Sequence, residues 1–76
     1  MKIDVGTYVR ISALYSGDKA LINQTGNVEA LPNSEHPNDY LIKLDGGINS
    51  NPRFAGRVIR VPAIYLELVD QIHRIW

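Results

Sequence analysis

Seventy-six residues without a cysteine make one small domain, one that buries only about 60–65% of its unfolded surface and has neither a disulfide framework nor a thiolate zinc site to staple it. Hydrophobic residues at 45% and charged residues at 21% are globular proportions, too apolar for a disordered tail. Eight basic residues balance eight acidic ones, which excludes the long-range pull on nucleic acid or anionic membrane that a strongly basic chain exerts.

The chain begins with an alternation, Met1, Ile3 and Val5 against Lys2 and Asp4, which predicts a half-buried strand before Gly6 allows a bend. Alternation resumes over residues 8–14. Val9, Ile11 and Ala13 form one face, Tyr8, Arg10 and Ser12 the other, and the β-branched and aromatic content favours a strand. Residues 16–19 are turn formers, and 20–24 read equally as a short strand or an irregular loop. Gly26 followed by Val28 and Ala30 on one face predicts a second strand whose glycine permits close backbone approach or a bulge, and Pro32 ends it.

Residues 32–39 carry two prolines, two asparagines and little to bury, so they read as an exposed loop. Tyr40, Ile42 and Leu44 alternating with Leu41 and Lys43 predict a third strand ending at Asp45, where Asp45-Gly46-Gly47 is a turn signal. Residues 48–56 form a loop in which Phe54 needs cover. A fourth strand over 57–61 sets Ile59 and Val61 against Val58 and Arg60. Pro62 is expected to interrupt its pairing because it has no amide hydrogen. A single helical turn over 63–66 and a closing strand over 67–69 follow. In the last six residues Ile72, Ile75 and Trp76 lie at a spacing that lines one face of a helical turn. Residues 1–70 are thus expected to form the domain and 71–76 an apolar tail. The tail either folds back onto an open end or docks on a partner or a second copy.

Two groupings suggest chemistry and are better explained as turns. Glu35, His36 and Asp39 are metal-ligating and acid-base types, but they sit in a loop with two prolines and no supporting groups to hold a geometry. Asp45, Asn49 and Asn51 lack the bidentate glutamate of a calcium loop. Ser12, Ser16, Ser34 and Ser50 lie in plain contexts with no Gly-x-Ser-x-Gly, and no glycine motif precedes a helix to cradle phosphate. No enzyme activity, cofactor or metal is expected.

The remaining signal is uneven charge. Residues 1–52 carry four basic and six acidic groups, residues 53–76 four and two. Arg53, Phe54, Arg57 and Arg60 cluster in that basic last third. Arginine interleaved with an aromatic suits a protein interface and also the phosphates and bases of a nucleic acid. The bland alternative puts Arg57 and Arg60 on a solvated face and Phe54 on the core.

Several features together resemble the SH3-like small β-barrels: Gly6, then Val9 and Ile11; Gly26 and Val28; an aromatic-led strand from Tyr40 to an acid at Asp45; and the closing Leu66, Glu67, Leu68, Val69. The layout is similar to KOW-type barrels of transcription and translation proteins and to barrels that dock on redox complexes, such as the E subunit of photosystem I and the variable subunit of ferredoxin:thioredoxin reductase. The resemblance implies an all-β, five-stranded SH3-like barrel with a short helical turn before the last strand, working as a non-catalytic binding module. A protein partner is expected, met through the loops by Tyr8, Arg53, Phe54, Arg57 and Arg60, with Trp76 from the tail. A KOW-like nucleic-acid-binding barrel is the alternative, though such barrels are usually basic. A homo-oligomeric barrel with a site on its symmetry axis is a third reading. No apolar run reaches the roughly 20 residues a membrane helix needs and the N-terminus lacks a signal-peptide core, so a cytoplasmic location without membrane contact is expected.

Overall fold

A computed structural model of the protein describes residues 3–47 and 51–69, so the tail with Ile72, Ile75 and Trp76 lies outside the described residues. Five strands form one antiparallel sheet: β1 (Tyr8–Ile11), β2 (Thr25–Ala30), β3 (Asp39–Leu44), β4 (Val58–Pro62) and β5 (Leu66–Leu68), in the order β4-β3-β2-β1-β5. The helical content of the described residues is three short 3-10 turns at Lys19–Leu21, Pro52–Phe54 and Ala63–Tyr65. The chain is all-β, and the helical turn before the last strand is where the spacing predicted it. β4 and β5 are the sheet's two edges, with no pairing between them among the described residues.

The first departure is at the N-terminus. Residues 3–5 are not a strand, because the Thr7 amide donates to the Asp4 carbonyl, the Asp4 amide donates to Thr7 Oγ1, each at 3.0 Å, and Gly6 adopts φ +90°, closing a turn. Ile3 is buried while Val5, expected on the same face, is 61% exposed. β1 also ends three residues early. The Leu14 amide donates to Ser12 Oγ and the Tyr15 amide to the Ser12 carbonyl, both at 3.0 Å, so Ser12 begins a turn: Ser12, expected on the outer face, is buried, and Ala13, expected on the inner one, is exposed.

Residues 20–24, which read equally as strand or loop, hold no strand: a 3-10 turn over Lys19–Leu21, with Asp18 Oδ1 accepting the Ala20 amide at 2.9 Å, leads into an irregular stretch before β2. Gly26 is then placed where a side chain does not fit. A methyl group there would overlap the Lys43 carbonyl on β3, which is the close approach the sequence predicts. The irregularity in the β2–β3 register falls two residues further on, between Val28 and Ala30.

β3 and β5 each sit one residue earlier than expected. Asp45 has left the strand because its carboxylate turns back to accept the Gly47 amide at 2.8 Å. Pro62 does not interrupt β4 and lies in register opposite Asp39. The Leu44 amide donates to the Arg57 carbonyl at 2.8 Å and the Ala63 amide to the Asn38 carbonyl at 2.9 Å, with the Ile42–Ile59 and Tyr40–Val61 pairs in register between them. Alternation along an antiparallel pair therefore turns the main-chain groups of Ile59 and Val61 toward β3 and those of Val58, Arg60 and Pro62 away from it. The donor that proline lacks would have faced outward.

The core follows from the same alternation. Val9 and Ile11, Val28, Ile42 and Leu44, Val61 and Leu66 bring one residue set from all five strands into a single cluster with Ile3, and Tyr15, Leu21, Tyr40, Phe54, Ile59 and Tyr65 pack around it. Fully burying each such side chain contributes roughly 1.5–3 kcal/mol. Ile59 and Val61 face this core while Val58 and Arg60 lie on the solvent side, as the spacing predicts.

Candidate binding surface

The residues of the basic segment divide between two elements. Asn51 caps the 3-10 turn Pro52–Phe54 by accepting the Arg53 amide at 2.9 Å, and its own amide donates to the buried Gln24 Oε1 at 2.9 Å, so the turn is pinned to the domain. Phe54 is half-buried against the core, and the Arg57 guanidinium lies over its ring, 5.4 Å from the centroid, within cation–π range. Arg53 is exposed on the same turn. Arg60 is exposed two residues into β4, opposite Leu41. Phe54 and Arg57 are therefore together, Arg53 is beside them on the turn, and Arg60 stands apart along the strand.

Tyr8 is half-buried and already engaged. Its hydroxyl donates to the Asp45 carboxylate, which also accepts from Thr25 Oγ1 at 2.9 Å and from the Gly47 amide. Desolvation pushes the Asp45 carboxyl up. The hydrogen bonds from Tyr8, the Gly47 amide, the Thr25 hydroxyl and its own amide outweigh that effect and hold its pKa below the ordinary value of 3.8. These three side chains join β1, β2 and the turn after β3. Trp76 lies outside the described residues.

At the loop tip Asn33 Oδ1 accepts the amides of Glu35 and His36, both at 2.9 Å, an arrangement that shapes a turn and uses no side chain of Glu35, His36 or Asp39. Among the described residues no group of three or more His, Cys, Asp or Glu side chains is placed to hold a metal ion, and no helix is long and apolar enough to cross a membrane.

A surface not anticipated from the residue pattern lies where the turn after β1 meets the turn before β5. The Ser12 amide donates to the Tyr65 carbonyl at 2.8 Å, the Tyr15 and Tyr65 rings pack edge to face with centroids 5.4 Å apart, and the Tyr65 hydroxyl donates to Ser16 Oγ at 3.1 Å. Leu14 and Ile64, each next in sequence to one of those tyrosines, are 82% and 80% exposed. The signal for Ile64 was in the chain: four successive apolar residues from Ala63 to Leu66 cannot all face inward through one tight turn. For Leu14 the signal was the alternation itself, which, run on to residue 14, sets it on the outer face with Tyr8 and Arg10.

The chain matches no family model, no curated protein and no solved structure.

Proposed function

We propose that this protein is a small non-catalytic accessory or regulatory module with an SH3-like barrel layout, binding another protein. The layout is supported by the antiparallel order β4-β3-β2-β1-β5 and by the 3-10 turn that leads into the last strand. One observation carries the binding: the two most exposed large apolar side chains among the described residues, Leu14 and Ile64, are next in sequence to Tyr15 and Tyr65, whose rings pack edge to face. Covering a leucine and an isoleucine removes apolar surface worth roughly 1.5–3 kcal/mol each, and aromatic residues beside them are typical interface anchors.

This reading is preferred to the KOW-like one, in which the segment with Arg53, Phe54, Arg57 and Arg60 grips nucleic acid. Phe54 is half-buried against the core and the Arg57 guanidinium lies over its ring, which counts against a ring held open for a base to stack on. The test is chemical crosslinking and affinity recovery from native extract with the unaltered chain and with a Leu14→Ser, Ile64→Ser double variant. A stoichiometric protein recovered by the first and lost by the second, at unchanged unfolding midpoint, is the expected result. Repeated failure to recover any such protein, together with salt-sensitive retention of single-stranded RNA or DNA, would replace this reading with the nucleic-acid one. Light scattering of the pure chain tests the homo-oligomeric reading, and a monomer removes it.

A further inference from the structure

A second surface, separate from Leu14 and Ile64, is the outer edge of β4. The register that seats Pro62 leaves the N–H and C=O groups of Val58 and Arg60 directed away from β3, and no strand pairs with β4 on that side among the described residues. Its charge is one-sided. Residues 51–66 hold Arg53, Arg57 and Arg60 and no carboxylate, and the one ion pair among the described residues joins Arg10 to Glu67 elsewhere on the sheet. Val58, opposite Lys43 on the solvent face, is half-exposed between the cations.

We propose that this edge accepts an extended acidic segment of a partner protein as an added strand. Val58 and Arg60 supply the main-chain hydrogen bonds. Arg60 meets carboxylates at alternate positions of the incoming strand, with Arg53 and Arg57 where β4 begins, and Val58 provides the apolar contact between them. Charge decides against a second copy of this chain as the occupant. Edge-to-edge pairing of two β4 strands would bring Arg57 and Arg60 of both copies onto one seam, and like charges directly opposed across strands are destabilising. Pro62 limits the edge to a short added strand, since it offers no donor there.

The test is titration of the isotopically labelled full chain with a short peptide of alternating glutamate and valine, read by fluorescence anisotropy and by amide exchange, beside a lysine–valine peptide of the same length. The glutamate peptide is expected to bind, more weakly as salt rises, and to slow exchange of the Val58 and Arg60 amides. Arg60→Glu is expected to weaken it about tenfold or more. Val58→Pro should abolish binding with charge unchanged, because it removes an outward-facing N–H and none of the bonds to β3. If Val58→Pro does not fold, the exchange of the unaltered chain and the Arg60→Glu comparison decide. Equal binding of the lysine peptide, undiminished binding by either variant, unslowed Val58 and Arg60 amides, or tighter binding of a single-stranded oligothymidylate would each overturn it. None of these outcomes depends on Leu14 or Ile64.

Discussion

The Tyr8 hydroxyl donates to the Asp45 carboxylate, and through that contact the second half of the sheet is tied to the first. Asp45 also accepts from Thr25 on β2 and from Gly47 in its own turn, so one acid collects donors from three places. Because its pKa in the folded chain lies below the ordinary 3.8, the folded state favours the ionised form. The stability it contributes is present above the unfolded value and is lost as pH falls through 3.8 and then through the folded pKa. Urea midpoints measured across that acidic range are expected to fall, and to fall less in Asp45→Asn. Tyr8→Phe should lower stability by roughly 1 kcal/mol, the scale of one hydrogen bond to a partly solvated charge, and move the acid transition to higher pH. A Tyr8→Phe variant with an unchanged acid transition would contradict the contact.

Two glycines should be intolerant for different reasons. At Gly26 a methyl meets the Lys43 carbonyl, a rigid main-chain atom, so Gly26→Ala is expected to cost about 1–3 kcal/mol or more as β2 and β3 are forced apart. At Gly56 nothing lies near the added carbon, but φ is +83°, so Gly56→Ala should cost about 1–2 kcal/mol through backbone strain alone. Chemical unfolding measures both. Amide shifts along β3 should move for the first and stay local to the turn for the second.

Truncating core and surface apolar residues should separate them cleanly. Ile42→Ala and Ile11→Ala, at fully buried positions contributed by β3 and β1, are expected to lose about 2–5 kcal/mol. Leu14→Ala and Ile64→Ala should stay within about 0.5 kcal/mol. A large loss at Leu14 or Ile64 would mean that these side chains support the fold instead of standing ready for a partner.

Gln24 is one of the few buried polar side chains, and its Oε1 accepts the Asn51 amide. Gln24→Ala would leave that amide without its partner, at a cost of about 1–3 kcal/mol, and should raise exchange at Asn51 and Arg53 before any other part of the sheet. The exposed Arg10–Glu67 pair, at 3.0 Å, makes a contrast: Glu67→Gln should change stability by less than about 1 kcal/mol, and less still at high salt.

Where apolar and polar residues alternate beside a punctuating glycine or proline, the strand was legible. Val9 with Ile11, Gly26 with Val28, Ile42 with Leu44, and Ile59 with Val61 all declare their inward faces, because a period of two leaves a half-buried strand no other arrangement. Three strand boundaries differ from the pattern where a short polar side chain captures the main chain. Ser12 stopped β1 by accepting the Leu14 amide, Thr7 and Asp4 closed a turn where alternation pointed to a strand, and Asp45 left β3 for Gly47. Such bonds compete with a ladder by small margins that periodicity does not register. Of the anticipated binding residues, Phe54 and Arg57 are joined, Arg60 is set apart on the strand, and Tyr8 is occupied by Asp45.

Composition and spacing alone determined that this chain is all-β, that its interior is one thin layer of aliphatic side chains, and that a helical turn precedes the last strand, since each is a local consequence of side-chain order along the backbone. Only the tertiary structure decided that Pro62 belongs to a strand, that Tyr15 and Tyr65, the neighbours of the exposed Leu14 and Ile64, pack together, and that β4 is an edge strand among the described residues. Each of those depends on which strand lies beside which and in what register. Pairing between distant segments sets where a main-chain donor or an exposed side chain points, and no local pattern contains it.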